Sequence, residues 1–463
     1  MGLDDLQLAL CAVGVAALIA GLMGITWWLC GPIIVLVVAG VPTWFTGRPL
    51  VRWVPMLGTF VLRGAIGQRR FRVRPTQPRP VGTLGLPGTA ARLRLMVEPG
   101  TGAGLVHDPS KKTMTAVLRV HPQESFLLAE GSKQDTMADG WASILGAFCA
   151  DASGGITRVS VLMRAVSDGG QEIAAWFEEH GSSPLSEEAH EAYREYLHFS
   201  RTEAMRHEAY VAISLDMTKR GVAQMIRSAG GGVHGGIAVL RSRMDYLTSQ
   251  LSDAALTSLG WLNAGEVARL ARYAYDPASQ SELEESPGVG TSAAAAGPMA
   301  VDEYFSYFQT EGGFHRVLMI AEWPRKKTTA GFLQRLVTAR VKHTFSMVFE
   351  PIETSKAIRQ AQGKASEAET AKMLQARTGG VDTPERRRER ESLAREEEDL
   401  ESGQGALNFA GLVTVSADSL DELRIATDQV RTAARRSGCE LRMLGGQQCS
   451  AFEAAAMPLG RGL

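Results

Sequence analysis

The longest apolar stretch of the chain runs from Leu6 to Phe45 and contains no charged residue. A single helix over these 40 residues would extend about 60 Å, twice the hydrocarbon thickness of about 30 Å in a bilayer. Gly24 and the Gly31-Pro32 pair would interrupt it, which predicts a hairpin of two membrane helices within residues 1–47. Each helix is short for a full crossing, so a re-entrant hairpin that dips into the bilayer stays open as an alternative.

The next segment, 48–90, combines apolar and basic residues. Residues 49–71 mix large apolar side chains with arginine, as in a helix that lies on an anionic membrane surface. No acidic residue occurs between Asp5 and Glu98, so the positive-inside rule places this flank in the cytoplasm, and two crossings place the N-terminus there too. We assign the membrane-interface role to Arg48, Arg52, Arg63, Arg69, Arg70, Arg72 and Arg74. A solvated linker and a contact with nucleic acid are the alternatives.

Beyond residue 90 the pattern changes to short strands and helices. Strand-like segments lie at 91–98, 113–120, 156–166 and 207–217, and helical spacing occupies 134–151, about 237–253 and 263–277. Asn263 and Glu266 have the spacing of a capping box at the start of the last of these helices. The pattern predicts a first α/β unit over residues 91–277.

Residues 278–298 are rich in Ser, Gly, Ala and acidic residues without periodicity, which predicts a flexible linker. A second α/β unit follows over 299–463, with strands expected within 301–309, 314–324, 343–352, 407–417 and 439–444 and with a helix over 419–438 capped by Ser419. The predicted fold class is therefore α/β (α+β): a membrane hairpin, then two mixed units, the second with an inserted helical hairpin arm at 354–402.

This arm carries a polarised charge pattern. Its second helix begins at Thr383-Pro384-Glu385, and basic residues lead while acidic residues trail, against a macrodipole preference of about 0.3–1 kcal/mol per charge. Since helix stability does not explain this order, we predict a docking surface for another protein, formed by Arg386, Arg387, Arg388, Arg390, Glu396, Glu397, Glu398 and Asp399. A solvated pair of helices is the alternative.

Composition narrows the function classes. With 49 basic and 50 acidic residues, the whole chain is no general polyanion binder, so any basic patch must be local. The five cysteines are scattered, without a C-x-x-C pair or a histidine at ligand spacing. That argues against a structural zinc site or a disulfide framework and favours a reducing compartment.

A glycine-rich loop is the best candidate for a nucleotide site. Gly231 and Gly236 have the spacing of a phosphate-binding loop, but Ile237 and Ala238 stand where that motif carries Lys and Ser or Thr. Because the lysine contributes much of the γ-phosphate stabilisation, we expect a turn that starts a helix and no hydrolysis. The nine histidines form no two-ligand helical motif, and we predict no catalytic residue, no metal and no cofactor.

Several stretches together resemble an actinobacterial family of membrane proteins. They are "LVHDPSKKTMTAVLRVHPQESFLLAEGSKQDTMADGWASIL" (105–145), "HEAYVAISLD" (207–216), "IAEWPRK" (320–326), "FSMVFEPIETSKAIR" (345–359) and "QQCSAFEAAAMPLGRGL" (447–463). The family resembles a fusion of two parts of the conjugative type IV secretion machinery. One is the two-helix membrane subunit, and the other is the N-terminal, non-motor domain of the assembly ATPase.

The resemblance implies a non-catalytic subunit of the inner membrane with its bulk in the cytoplasm. Its implied partners are membrane lipid, a separately encoded motor ATPase, other membrane subunits of the apparatus and further copies of itself. In the full-length ATPases a stretch comparable to 451–463 precedes the motor domain with its phosphate loop. A core membrane subunit of a type VII secretion apparatus is a rival hypothesis. A membrane-bound enzyme is another, and it would need carboxylates in a deep apolar pocket.

Overall fold

The computed structural model describes residues 50–74, 80–126, 128–150, 155–167, 205–286, 288–324, 326, 328–352 and 406–462, with isolated positions between 179 and 195 and between 357 and 363. The predicted membrane hairpin and nearly all of the predicted arm lie outside these residues. Within them the chain forms two compact units, residues 50–70 with 445–447, and residues 71–444 with 448–462.

The first unit contains helix α1 (Leu50–Ala65). The helices of the larger unit are α2 (Gly131–Ala150), α3 (Arg220–Ser228), α4 (Gly232–Gln250), α5 (Ala264–Tyr275), α6 (Gln280–Glu285), α7 (Gln334–Val337), α8 (Leu420–Arg436) and α9 (Gln448–Ala455).

The strands are β1 (Arg70–Arg72), β2 (Arg94–Val97), β3 (Gly104–Asp108), β4 (Thr113–Pro122), β5 (Ile156–Ser167), β6 (Met205–Asp216), β7 (Leu256–Trp261), β8 (Ala300–Glu303), β9 (Phe308–Thr310), β10 (Gly313–Glu322), β11 (His343–Ile352), β12 (Ala406–Ala417) and β13 (Glu440–Met443). They form one sheet in the order β1-β8-β9-β10-β12-β11-β5-β6-β4-β3-β2, with β13 on β10 and β7 on β4. Neighbouring strands from β8 to β2 run antiparallel.

The centre of this sheet is built twice from the same chain order. Strands β4 to β7 follow the order β-α-β-β-α-β and lie side by side as β7-β4-β6-β5, and strands β10 to β13 lie as β13-β10-β12-β11. In both, the register slips late in the first strand where it meets the fourth, between Arg119 and Val120 and between Ile320 and Glu322. Each half is thus a split β-α-β unit of the ferredoxin-like type, here called repeat 1 (113–261) and repeat 2 (313–443).

The two repeats join edge to edge through β5 and β11, which pair antiparallel with Leu162 opposite Ser346. The large antiparallel sheet is therefore continuous, and the two predicted α/β units form one compact body. Mixed α/β structure is confirmed. The arrangement as two repeats was not predicted, because strand patterns in the sequence do not state which strands become neighbours.

Alternate residues of the central strands face two separate cores. On one face, here the front, α2, α3 and α4 cover repeat 1 through residues such as Phe148 and Leu240, and α7 and α8 cover repeat 2 through Leu336 and Val430. On the opposite face, the back, α5 and α9 pack against both repeats. The body is therefore a sheet between two helical layers.

The C-terminal strap, residues 448–462, crosses the back of the sheet and is almost wholly buried. At its start, the Gln448 side chain accepts from the Val317 N–H at 2.8 Å and donates to the Val317 carbonyl at 3.2 Å. In the middle, Ser346 donates to the carbonyl of Ala454. Near its end, a Cβ on Gly460 would lie 2.1 Å from Thr115 Oγ1, and Gly460 has φ of +70°, so this position requires glycine.

Several local predictions are confirmed by the structure. Asn263 and Glu266 form the reciprocal hydrogen bonds of a capping box on α5, and Ser419 caps α8 by accepting from the Glu422 N–H. Two expectations differ from what is seen. The segment 278–298 contains α6, whose Gln280 is buried, rather than a flexible linker, and residues 256–261, to which no strand was assigned, form strand β7.

Candidate functional site

Helix α1 presents an unusually apolar surface. Leu57, Val61, Leu62 and the following Ile66 have exposed fractions of 42, 65, 59 and 63%. Leu57 and Val61 are four residues apart, as are Leu62 and Ile66, so each pair forms one ridge, and the two ridges together cover about half of the circumference of the helical segment. Contiguous exposed apolar side chains of this size mark a surface that contacts protein or membrane.

The opposite side of α1 holds the helix in its own unit. Phe60 is buried, and the Arg69 guanidinium lies 4.6 Å from the centre of its ring, in a cation–π contact. Arg63 donates to the carbonyl oxygen of Gly446 at 3.2 Å. Arginine contacts therefore fix the orientation that leaves the apolar side outward.

The arginines that were predicted to form a membrane interface have different surroundings in the structure. Arg63 and Arg69 make the internal contacts just described, Arg70 begins β1, and Arg72 pairs with Asp302 at 2.6 Å. Arg74 is exposed, whereas Arg48 and the side chain of Arg52 lie outside the described part of the chain. Sequence analysis identified the helix but not its outward side chains, the candidate membrane-contact surface. The 3.6-residue spacing of Leu57, Val61 and their neighbours was the signal available for them.

The eight charged residues predicted for partner docking, Arg386, Arg387, Arg388, Arg390, Glu396, Glu397, Glu398 and Asp399, lie outside the described residues. The structure does fix where that segment leaves the body. It departs after Ile352 of β11 and returns at Ala406 of β12, and these two residues pair with each other. In repeat 1, residues 168–204 leave at the same point of the fold, between Ser167 and Met205, which also pair.

The glycine-rich loop connects α3 to α4 through three consecutive glycines with positive φ, Gly230 to Gly232. A Cβ on Gly235 would lie 2.3 Å from the Ile226 carbonyl oxygen. The glycines therefore allow a tight corner and a close approach of two helices. This is the helix-starting turn that the sequence predicted.

Buried carboxylates form ion pairs on the back of the sheet. Glu208 accepts from Arg164 at 3.0 Å, from Arg206 at 2.9 Å and from the Tyr210 hydroxyl at 3.0 Å. Burial raises the pKa of Glu208, but Arg164 and Arg206 outweigh it, so its pKa lies below the ordinary value and it stays ionised. This arrangement stabilises a charge and does not supply a proton donor.

Beneath the strap, Arg461 pairs with Asp108 at 3.0 Å and lies 3.9 Å from Glu453. Burial raises the pKa of Glu453, which also accepts from Thr89 at 2.9 Å. These contacts tie the end of the strap to β3 and to the segment before β2.

No group of three or more His, Cys, Asp or Glu side chains with the geometry of a metal site occurs within the described residues. None of the described helices is both long and apolar enough to cross a bilayer. Neither a scan against protein-family models nor a search of curated proteins returned a match to this chain.

Proposed function

We propose that the protein is a membrane-anchored, non-catalytic subunit of a conjugation or type IV secretion-like apparatus, which holds or orients a separately encoded motor ATPase. In this proposal the uncharged residues 6–45 form a two-helix hairpin in the inner membrane, and the bulk and the N-terminus face the cytoplasm. The helical arm at 354–402 is the docking element. Other membrane subunits and further copies of the chain are the remaining partners.

The observation that carries the proposal is the outward apolar side of α1, which begins five residues after the uncharged stretch ends. Exposure of such a surface to water is unfavourable. Transfer of a leucine or valine side chain from water into an apolar layer lowers the free energy by up to about 1.5–3 kcal/mol. A bilayer is the occupant that the preceding 40 uncharged residues bring to this helix. Arg74 and the other basic residues of the flank favour anionic headgroups.

A docking role is supported by the architecture of the larger unit. Its central strands and strap are filled with packed side chains and paired charges, and its two long insertions leave from equivalent strand ends. Such a body is a rigid support for elements that reach other proteins. The resemblance to conjugation proteins favours a motor ATPase as the partner, and a type VII secretion subunit is the alternative.

The membrane assignment is tested on the full chain expressed in a bacterial host. After extraction at alkaline pH, the protein is expected to stay in the membrane pellet, and protease added outside sealed cells is expected to leave the body intact. Release into the supernatant, or digestion from outside, would contradict the proposal.

The docking assignment is tested by capture of a separately encoded motor ATPase of the type IV secretion class that is co-expressed with this chain. Deletion of 354–402 is expected to abolish capture while membrane insertion persists. The matched control is deletion of 168–204, the insertion at the equivalent point of repeat 1, which is expected to leave capture intact. Full capture by the 354–402 deletion would remove the docking proposal.

A further inference from the structure

The outer corner of repeat 2, where β10 ends and β13 begins, contains an open groove of about 650 Å³. Three cationic residues line it, Lys326, Arg335 and Arg436, and all three are exposed. None of the described residues that line the groove is acidic. The groove therefore combines a volume typical of small-molecule sites with an unbalanced positive charge.

A buried hydroxyl in the same groove has no hydrogen-bond partner among the described residues. Ser437 is 7% exposed, and its Oγ makes no hydrogen bond, while its backbone N–H is already bonded to the carbonyls of Ala433 and Ala434. A buried hydroxyl without a partner is destabilising, because its lost hydration is not replaced. Ser437 lines the groove, so a rotation of its side chain would bring the hydroxyl to an acceptor bound there.

The groove lies at the C-terminal end of α8, and this position opposes the binding of an anion. The helix end carries about half a negative charge, which repels anions. Three full positive charges line the groove and attract an anion, whereas the two carboxylates of this corner, Glu322 and Glu440, lie outside the lining. Thr328 and Thr329 add two hydroxyl groups to the lining, and the Phe332 ring and Pro324 form an apolar wall.

The equivalent corner of repeat 1 is closed instead. There the Gln123 N–H donates to the Ala255 carbonyl at 2.9 Å and the Gln123 side chain donates to the Leu256 carbonyl at 3.3 Å, so the end of β4 is tied to the start of β7. In repeat 2, β10 ends at Glu322, and Pro324, the second residue after the strand, has no N–H to donate. The open corner is therefore specific to repeat 2.

We propose that this groove binds a phosphate group carried by a small molecule with a flat ring, of the nucleoside phosphate class. Arg335, Arg436 and Lys326 contact the phosphate oxygens, Ser437 donates to one of them, and the ring packs on Phe332. The proposal concerns binding without hydrolysis and does not depend on the membrane or docking role.

The test is isothermal titration of the full chain in detergent with ADP, and with adenosine and pyrophosphate as the two partial probes. ADP is expected to bind more tightly than either. Arg335→Ala and Arg436→Ala are each expected to weaken ADP binding at least about tenfold, because each removes a charge-assisted contact. Ser437→Ala is expected to weaken it severalfold without lowering the melting temperature of the free protein, because the hydroxyl makes no hydrogen bond there.

The matched control is Arg424→Ala, which removes an exposed cation from the same helix outside the groove and is expected to leave binding unchanged. Absence of ADP binding, or binding that is insensitive to both arginine variants, would overturn the site. Equal affinity for pyrophosphate and ADP would overturn the nucleoside assignment. Displacement of ADP by anionic phospholipid vesicles, but not by neutral vesicles, would overturn it in favour of a lipid headgroup.

Discussion

Repeat 1 and repeat 2 share the same strand order and a hydrogen-bonded polar pair at the same place, but the side chains that form the pair differ. In each repeat the first and third strands carry a polar pair on the back of the sheet, Thr115 with Ser214 and His315 with Ser416, and each pair is hydrogen-bonded at 2.8 Å. Gly460 of the strap lies on the first pair and Phe452 on the second. The strap therefore contacts repeat 1 through a glycine and repeat 2 through an aromatic ring.

The comparison shows how two similar units become one body with different surfaces. At the repeat 2 end, the centre of the Phe452 ring lies 4.8 Å from the ring centre of Phe308 and 4.9 Å from that of Tyr275. On repeat 1, Arg158 donates to the Gly460 carbonyl of the strap at 2.5 Å, and the Arg461–Asp108 pair ties the end of the strap to neighbouring β3. The front helices also differ, since α2 has 20 residues and its counterpart α7 has four. Functional differences between the repeats follow from side chains and insertions, not from the strand plan.

The largest effect is expected from Phe452→Ala. Phe452 is fully buried at the repeat 2 end of the strap, so its truncation leaves a cavity and is expected to lower the free energy of unfolding by about 3–5 kcal/mol. Denaturant titration in detergent measures it. Ile425→Ala on α8, which is 60% exposed, is the control and is expected to change stability by less than about 0.5 kcal/mol. Similar values for both variants would mean that the strap contributes little to the body.

The next effect tests the repeat 1 end of the strap with Gly460→Val. The new side chain would meet Thr115 and Ser214 and would adopt an unfavourable positive φ, so we expect a loss of about 2–4 kcal/mol. The same titration measures it. Gly146→Val on α2, where φ is ordinary and a new Cβ would meet nothing within 4 Å, serves as the comparison. A Gly460 variant as stable as the wild type would show that this end of the strap is not closely packed.

A pH effect of about 2 kcal/mol is expected from repeat 2 and not from the polar pair of repeat 1. Burial lowers the pKa of His315 to about 4, from an ordinary value of 6.5. Between these values the unfolded chain binds a proton that the folded chain does not, so stability falls as pH drops from 6.5 towards 4. At pH 5 the loss is about 2 kcal/mol, at about 1.4 kcal/mol for each pH unit.

Melting temperatures of the wild type and of His315→Gln, measured from pH 7 to pH 4, test this effect. The variant is expected to be less stable at pH 7. Its melting temperature is expected to fall less steeply as the pH drops, because it lacks the imidazole of His315. Some decline is expected to remain, because Glu453, His343 and the other titrating groups are present in both proteins. Thr115→Val is the control and is expected to keep the wild-type slope. Parallel curves for the wild type and His315→Gln would contradict the assignment.

The smallest effect concerns the polar pair of repeat 1. Thr115→Val keeps the shape of the side chain but removes the hydroxyl that bonds Ser214, and we expect a loss of about 1 kcal/mol. Ala116→Ser on the same strand introduces a hydroxyl on the opposite, apolar face and is expected to cost more. If both changes cost the same, the polar pair would have no specific role.

The sequence predicted local elements well because each has a local cause. The alternation in 156–166 became β5, and the caps at Asn263 and Ser419 were found where the side chains indicated them. The pairing of β5 with β11 and the crossing of the strap depend on contacts between residues 108 or more positions apart, for which a single sequence contains no periodic signal. The same reason hid the groove, since Lys326, Arg335 and Ser437 come together only after β10 and β13 have paired.

The site residues show the same limit. Arginine was assigned to the membrane interface by its charge, yet Arg63 and Arg69 contact the protein, whereas the outward residues of α1 are apolar. Charge in the sequence indicates that a segment is close to an anionic surface. Which side chains of the segment point outward is decided by how the helix packs, here by the burial of Phe60.

The central claim is that α1 lies against a bilayer with its apolar side towards the lipid. Spin labels at two positions of the full chain in nanodiscs test it most directly. A label at position 61, in place of exposed Val61, is expected to collide with lipid-soluble oxygen more often than with a water-soluble nickel complex. A label at position 68, in place of exposed Gln68 in the turn after the helix, is expected to show the reverse. Preferential collision of the nickel complex with both labels would contradict the account.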